Sequence, residues 1–185
     1  MEALWIILGV LVLLLLIFIG IYNGLVSARN HCNEAWSNVD TELKRRHDLI
    51  PNLVSTVKGY AAHEKDLLEK VTSLREKAQA PHDSVAAHAA DESMLTKVLG
   101  RLMARLEAYP DLKASANFLE LQHEITNTED RIQAALRFFN GNVRENNNKV
   151  QQFPSNLIAS MFSFATRDYF EIEHPAERQT PEVKI

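Results

Sequence analysis

The stretch WSNVDTELKRRHDLIPNLVSTVKGYAAHEKDLLEKVTSLREKA, residues 36–78, decides the fold. Trp36, Val39, Leu43, Arg46, Ile50, Leu53, Val57, Tyr60, Glu64, Leu67, Val71, Leu74 and Ala78 follow one another in alternating steps of three and four, a period of about 3.5 residues kept for about six heptads. At that period a helix lays one seam against a neighbour. Pro51 removes a backbone hydrogen bond and crowds the preceding turn, so a kink is expected between His47 and Pro51, with the helix continuing because the seam stays in phase. Carried backwards, the same steps land on Cys32, Arg29, Leu25 and Tyr22. The periodicity therefore predicts a helix that runs without a joint out of the segment before it.

That segment, ALWIILGVLVLLLLIFIGIY from Ala3 to Tyr22, carries no charge. At about 1.5 Å per residue, about twenty such residues span the roughly 30 Å hydrocarbon layer of a bilayer. Leu4 to Tyr22 is read as one transmembrane helix. A cleaved secretory signal would show a basic n-region, a shorter apolar stretch and a small-x-small cleavage site. Here only Met1 and Glu2 precede the run and Tyr22-Asn-Gly-Leu25 closes it, so the helix is expected to be retained. Arg29, then Lys44, Arg45 and Arg46, all follow the run, and the positive-inside tendency puts the C-terminal region in the cytoplasm and the short N-terminus outside. Gly20, Gly24 and Ala28 recur at intervals of four, the spacing of a small-residue face on which two membrane helices pack closely. Neutral small residues at a membrane exit give the same pattern without such a contact.

Beyond Ala78, Ala80-Pro-His-Asp-Ser84 supplies a helix stop followed by residues that cap a new helix. Met94, Leu95, Val98, Leu99, Leu102 and Leu106 form the apolar stripe of that second helix, which should end before Pro110. A third is expected from Ser115 to Gln152, with Phe118, Leu121, Ile125, Ile132 and Phe139 in its seam. Ser155 is expected to cap a short fourth helix carrying Leu157, Ile158, Met161, Phe162 and Phe164, and Glu173 to Ile185 reads as an extended or disordered tail. The predicted fold class is all-α: a single transmembrane helix (residues 1–22) continuing into an antiparallel up-and-down bundle of three long helices plus a short fourth (23–172), then the tail (173–185).

The chain's 24 acidic and 20 basic residues give a net charge of −4, against the clustered basic surface that nucleic acid requires. A lone cysteine, Cys32, excludes an intrachain disulfide or a cysteine zinc site. A buried, idle thiol is expected, with an intermolecular disulfide as the alternative. Glu120-x-x-His123 has the spacing by which di-iron bundles present two ligands, but the other such pair, Glu171-x-x-His174, lies outside the long helices. His63-Glu64 starts like a zinc-protease signature and lacks its second histidine, position 67 being Leu. No nucleophile elbow, phosphate loop or dinucleotide fingerprint occurs. Accordingly, no catalytic residue, metal, cofactor or small-molecule substrate is assigned.

Arg46 and Glu64 stand out as charges in an apolar seam. About 27 Å of straight helix separates them, so each needs a partner on a facing helix, with Glu129 and Arg131 or Arg137 as candidates. They set helix register in one reading; in the other, with Trp36, they are interaction positions. Lys44-Arg45-Arg46-His47 lies some 33 Å along a helix from Tyr22, several Debye lengths from a bilayer. It reads as a solvated face interrupted by the seam.

Three segments carry a family resemblance: Tyr22 to Ala78 (YNGLVSARNHCNEAWSNVDTELKRRHDLIPNLVSTVKGYAAHEKDLLEKVTSLREKA), Glu107 to Val143 (EAYPDLKASANFLELQHEITNTEDRIQAALRFFNGNV), and FPSNLIA at Phe153 with the later YFE at Tyr169. Through them the chain resembles the LemA family of bacterial membrane-anchored proteins. Where that family shows Tyr-Asn followed by a second Tyr/Phe-Asn, this chain has Phe139-Asn140 and then Asn146-Asn147-Asn148. The resemblance implies a single-pass anchor, an antiparallel helical bundle, a cytoplasmic domain and no enzyme activity. Some LemA-like relatives take part in membrane organisation, including magnetosome formation, a role of particular lineages. The expected function is a non-enzymatic scaffold or adaptor of the bacterial inner membrane, its partners being the lipid bilayer and either other proteins or further copies of itself. A metal- or ligand-binding bundle sensor or enzyme, and an oligomeric membrane-remodelling scaffold, are the alternatives.

Overall fold

The computed structural model describes residues 1–172; the expected tail and His174 lie outside the described residues. Helix α1 runs from Glu2 to Val57 without interruption, passing both Tyr22 and Pro51. It is the one described helix long and apolar enough to cross a membrane, and its apolar residues from Leu4 to Leu16 are about half or more exposed. After a turn and a short 3-10 stretch, Ala62–Glu64, come α2 (Lys65–Gln79), α3 (Val85–Leu106), the single turn α4 (Pro110–Lys113), α5 (Ala116–Gln151) and α6 (Ser155–Met161). No strand occurs among the described residues.

Pro51 does not end the helix, for a reason visible in its neighbours. Proline has no N–H to give the carbonyl four residues back, which here is that of His47. Arg75 Nε of α2 donates to that carbonyl instead, at 2.5 Å. The chain breaks later, at Lys58-Gly59-Tyr60, where Tyr60 and Ala61 both donate to the Val57 carbonyl at 2.9 and 3.0 Å. The expected helix from Trp36 to Ala78 is thus two helices. Gly59 is the weakest helix former in this stretch apart from Pro51, and folding back lets α2 bury Leu68 and Val71 against Ile50 and Leu53. Past the break Val71 and Ala78 of the expected seam are buried, whereas Leu68 is buried in place of Leu67 and Leu74 is only partly covered.

The helices assemble into two compact units: Met1–Asn38 with Arg137–Tyr169, and Val39–Leu136 with Phe170–Ile172 among the described residues. In the second unit the end of α1, α2, α3 and the start of α5 form an antiparallel four-helix arrangement. Its polar ties join α1 to α5 (Glu42 to Arg131, 3.9 Å), α2 to α3 (Lys77 to Asp91, 2.6 Å) and Glu64 to Tyr109 (3.3 Å). Ser84 caps α3 by accepting from the amide of Ala87 at 3.1 Å. In the first unit α1 lies against the end of α5, with the Trp36 and Phe139 rings 5.3 Å apart. Here α6 packs Ile158 and Ala159 on Leu25. Ser155 does not cap α6: its hydroxyl donates to the Gln152 carbonyl and Pro154 occupies the cap position, because Phe153-Pro154 already turns the chain.

Candidate functional site

The second unit holds a cluster of charged side chains inside its core. Arg46 of α1 is fully buried, 0% exposed, as is Glu92 of α3. Arg46 Nη2 donates to Glu92 Oε2, while its Nη1 reaches Glu129 Oε2 of α5 at 2.9 Å and the Thr96 hydroxyl at 2.7 Å. One guanidinium thus ties three helices by its fork of donors, a geometry an ammonium could not reproduce. Glu92 Oε1 faces the imidazoles of His47 at 3.0 Å and of His88 at 3.5 Å. These are ion-pair distances, off the angle of a good hydrogen bond for His47. His88 in turn stacks on His82, ring centroids 4.4 Å apart, and meets Phe170 edge-on at 5.2 Å.

The electrostatics follow from this crowding. Burial by itself pushes the Glu92 carboxyl up, yet the contacts from His47 and His88 and the Arg46 charge together bring it down to about 2. Glu92 is therefore an anion at neutral pH. Next to it Asp91 is held below its ordinary value chiefly by its bond to Lys77, and it also contacts His82 at 3.2 Å. Two consecutive carboxylates on α3 thus engage five basic or imidazole groups between them. A charge in such a network that is taken from its partner stays buried and uncompensated. No group of three or more side chains placed to hold a metal ion occurs among the described residues. Glu120 and His123 sit on exposed positions of α5.

The positions singled out from sequence separate in space. Arg46 enters the buried cluster and meets Glu129, one of the partners considered for it. Glu64 stays half-exposed and accepts from Tyr109 rather than pairing with Arg131, which reaches Glu42, or Arg137. Of the presumed solvated run, Lys44 and Arg45 are exposed whereas Arg46 and His47 are buried. Trp36 is half-buried on Phe139, and Ala35 takes the fully buried place beside it. Gly20 is exposed, the Gly24 carbonyl accepts from Lys149 at 3.5 Å, and Ala28 is buried within its own unit. The three small residues do not form one free face. Cys32 is buried, and that burial raises its thiol pKa.

Two features were missed from sequence. Glu92 and His88 lie in the alanine-rich start of α3, where no apolar stripe contrasts with them. Asn147 was noted only as a departure from a family pattern, yet its amide clamps the backbone of Arg167: Nδ2 donates to the carbonyl at 2.9 Å and Oδ1 accepts from the amide at 2.8 Å. Beside it, buried Asn146 donates to the Ala165 carbonyl at 3.3 Å. The asparagine run thus fastens the segment after α6 onto α5.

The chain is 29% identical over 160 residues to Protein LemA of Metamycoplasma hominis, a match covering 85% of this chain and 73% of that protein. It is 24% identical over 180 residues to Magnetosome protein MamQ of Magnetospirillum gryphiswaldense, covering 84% of this chain and 66%, just under two thirds, of that protein. Magnetosome protein MamQ 1 of Paramagnetospirillum magneticum matches to the same extent. The model of the LemA family matches residues 35–185, most of the chain beyond the apolar segment, and the chain therefore belongs to the LemA family.

Proposed function

We propose that this protein is a non-enzymatic scaffold or adaptor of the bacterial cytoplasmic membrane. In this reading α1 anchors it, its short N-terminus is outside, and its helical units present surfaces in the cytoplasm to protein partners or to further copies of the chain. The observation that carries the reading is the single helix α1, whose exposed apolar segment passes without a break into residues packed inside the units, such as Leu25 and Cys32. Arg29, the first cation after the apolar segment, supports the orientation through the positive-inside tendency. Arg46, His47 and Glu92 are turned on one another inside the core of the second unit, which favours a structural role for them over catalysis. The magnetosome proteins among the relatives belong by name to an assembled structure, and assembly is the role proposed here.

Crosslinking in native membranes followed by mass spectrometry tests the proposal. Expected are recurrent links from exposed lysines such as Lys44 and Lys70 to one membrane protein or to a second copy. Metal bound in stoichiometric amount and lost on changing Glu120 or His123 would overturn the non-enzymatic reading.

A further inference from the structure

Four large apolar side chains at and around α6 stay outside the protein core: Phe153 is 80% exposed, Leu157 58%, Met161 71% and Phe162 47%. The first three recur every fourth residue, and within α6 that spacing keeps Leu157 and Met161 on one face. The surrounding sequence, Val150 to Thr166, contains no charged residue. The opposite face is the one that holds α6 down, with Ile158 and Ala159 buried against Leu25.

Where α6 touches α1 decides what covers this stripe. The Phe162 ring lies 5.9 Å from that of Phe18 and 4.9 Å from that of Tyr22, and Phe164 lies 5.8 Å from Tyr22. Phe18 and Tyr22 are the last turns of the apolar run, about 6 Å apart along the helix axis. A side chain touching both is at the depth where the hydrocarbon layer ends. Cations begin where the apolar surface stops: Arg29 lies 5.3 Å over the Phe164 ring, Lys149 reaches the Gly24 carbonyl, and Arg167 donates to Asn33 at 2.7 Å. That order, apolar surface then aromatic rings then cations, matches the passage from acyl chains to headgroups.

We propose that Phe153, Leu157, Met161 and Phe162 form a second membrane contact, with α6 seated in the headgroup and acyl boundary of the bilayer that α1 crosses. The inference rests on α1 spanning that bilayer. Lipid is the occupant because the stripe adjoins, through Phe18 and Tyr22, a helix whose apolar residues from Leu4 to Ile17 are exposed and need the same cover. A lone spanning helix is free to turn about its axis; a second contact beside it removes that freedom and gives the anchored unit a fixed face toward the membrane.

The test uses the full chain in vesicles of phosphatidylcholine and phosphatidylglycerol. An environment-sensitive fluorophore is placed at Phe153→Cys, Met161→Cys, Leu13→Cys or Glu76→Cys, with the native chain, whose Cys32 is buried, labelled in parallel as the blank. Acyl chains carrying a nitroxide near the headgroup should quench positions 153 and 161 about twofold if they sit about 5–10 Å into the boundary, acyl chains carrying it near the tail end should quench position 13 at the centre of the span, and position 76 stays unaffected by either. Quenching at 13 with 153 and 161 behaving like 76 would overturn the inference and leave the anchor standing. No lipid quenching at 13 would overturn both. Labels at 153 and 161 that are shielded from aqueous iodide yet untouched by the lipid nitroxide would show protein cover, such as a second copy, and would also overturn it.

Discussion

Replacing Glu92 by Gln removes one charge from the centre of the buried cluster and changes little in shape. The size of the effect follows from the structure by two routes. The carboxyl of Glu92 is lowered from 4.5 to about 2, a difference of about 2.5, and at about 1.36 kcal/mol per pH unit the ionised form contributes about 3 kcal/mol. Independently, taking one partner from a buried pair costs about 3–5 kcal/mol, because the charge left behind is uncompensated. Arg46 keeps Glu129 and Thr96, which favours the lower end. For a domain of this size about 3 kcal/mol corresponds to a fall in Tm of about 6–12 °C, read by circular dichroism on the full chain in detergent. The sign with pH is fixed by the depressed pKa: the contribution is complete above about 4.5, the unfolded value, and disappears as pH falls toward about 2. The parent should therefore lose its advantage over Glu92→Gln across that window. A variant melting within a degree of the parent at pH 7 would refute the reasoning.

Four further outcomes are expected. Combining Arg46→Met with Glu92→Leu should recover most of the loss from Glu92→Gln and can exceed the parent, since apolar replacement of a buried pair is neutral or stabilising by about 1–4 kcal/mol; a double variant as unstable as the single one would contradict this in thermal melts. Arg75→Met should cost about 1–3 kcal/mol in the parent, as a charged donor is lost from the His47 carbonyl. It should cost about 1 kcal/mol less in a Pro51→Ala background, where the new N–H serves that carbonyl, so a double-mutant cycle in urea reads the coupling. Asn147→Ala removes both bonds to Arg167 and should cost about 2 kcal/mol, with the Arg167 amide exchanging faster while that of Leu102 does not. Cys32, buried with its pKa raised, should resist a thiol reagent in the native chain and react fully in guanidinium; rapid native labelling would show that the first unit opens there.

The long helices were legible because burial imposes a period. Leu25, Cys32, Val39, Leu43, Ile50, Leu53, Ile125, Ile132 and Phe139 are buried as the steps of three and four require. Periodicity does not register a chain that folds back after Gly59, since apolar residues at neighbouring phases, Leu67 and Leu68, satisfy either course. Arg46 was visible as a charge among apolar neighbours. Its main partner was not, because Glu92 stands among alanines and polar residues and is chosen by tertiary contact between α1 and α3. The Asn147 clamp was hidden for a related reason: a side-chain amide bonding a backbone twenty residues away leaves no local pattern.

The central claim is that one helix carries the chain from lipid into its packed units. Hydrogen exchange of the full chain reconstituted in bilayers tests it at the amides of Tyr22 to Asn30. Slow exchange is expected across the whole stretch, as in the interior of α1. A run of fast-exchanging amides around Gly24, with slow ones on either side, would place a flexible joint there and contradict it.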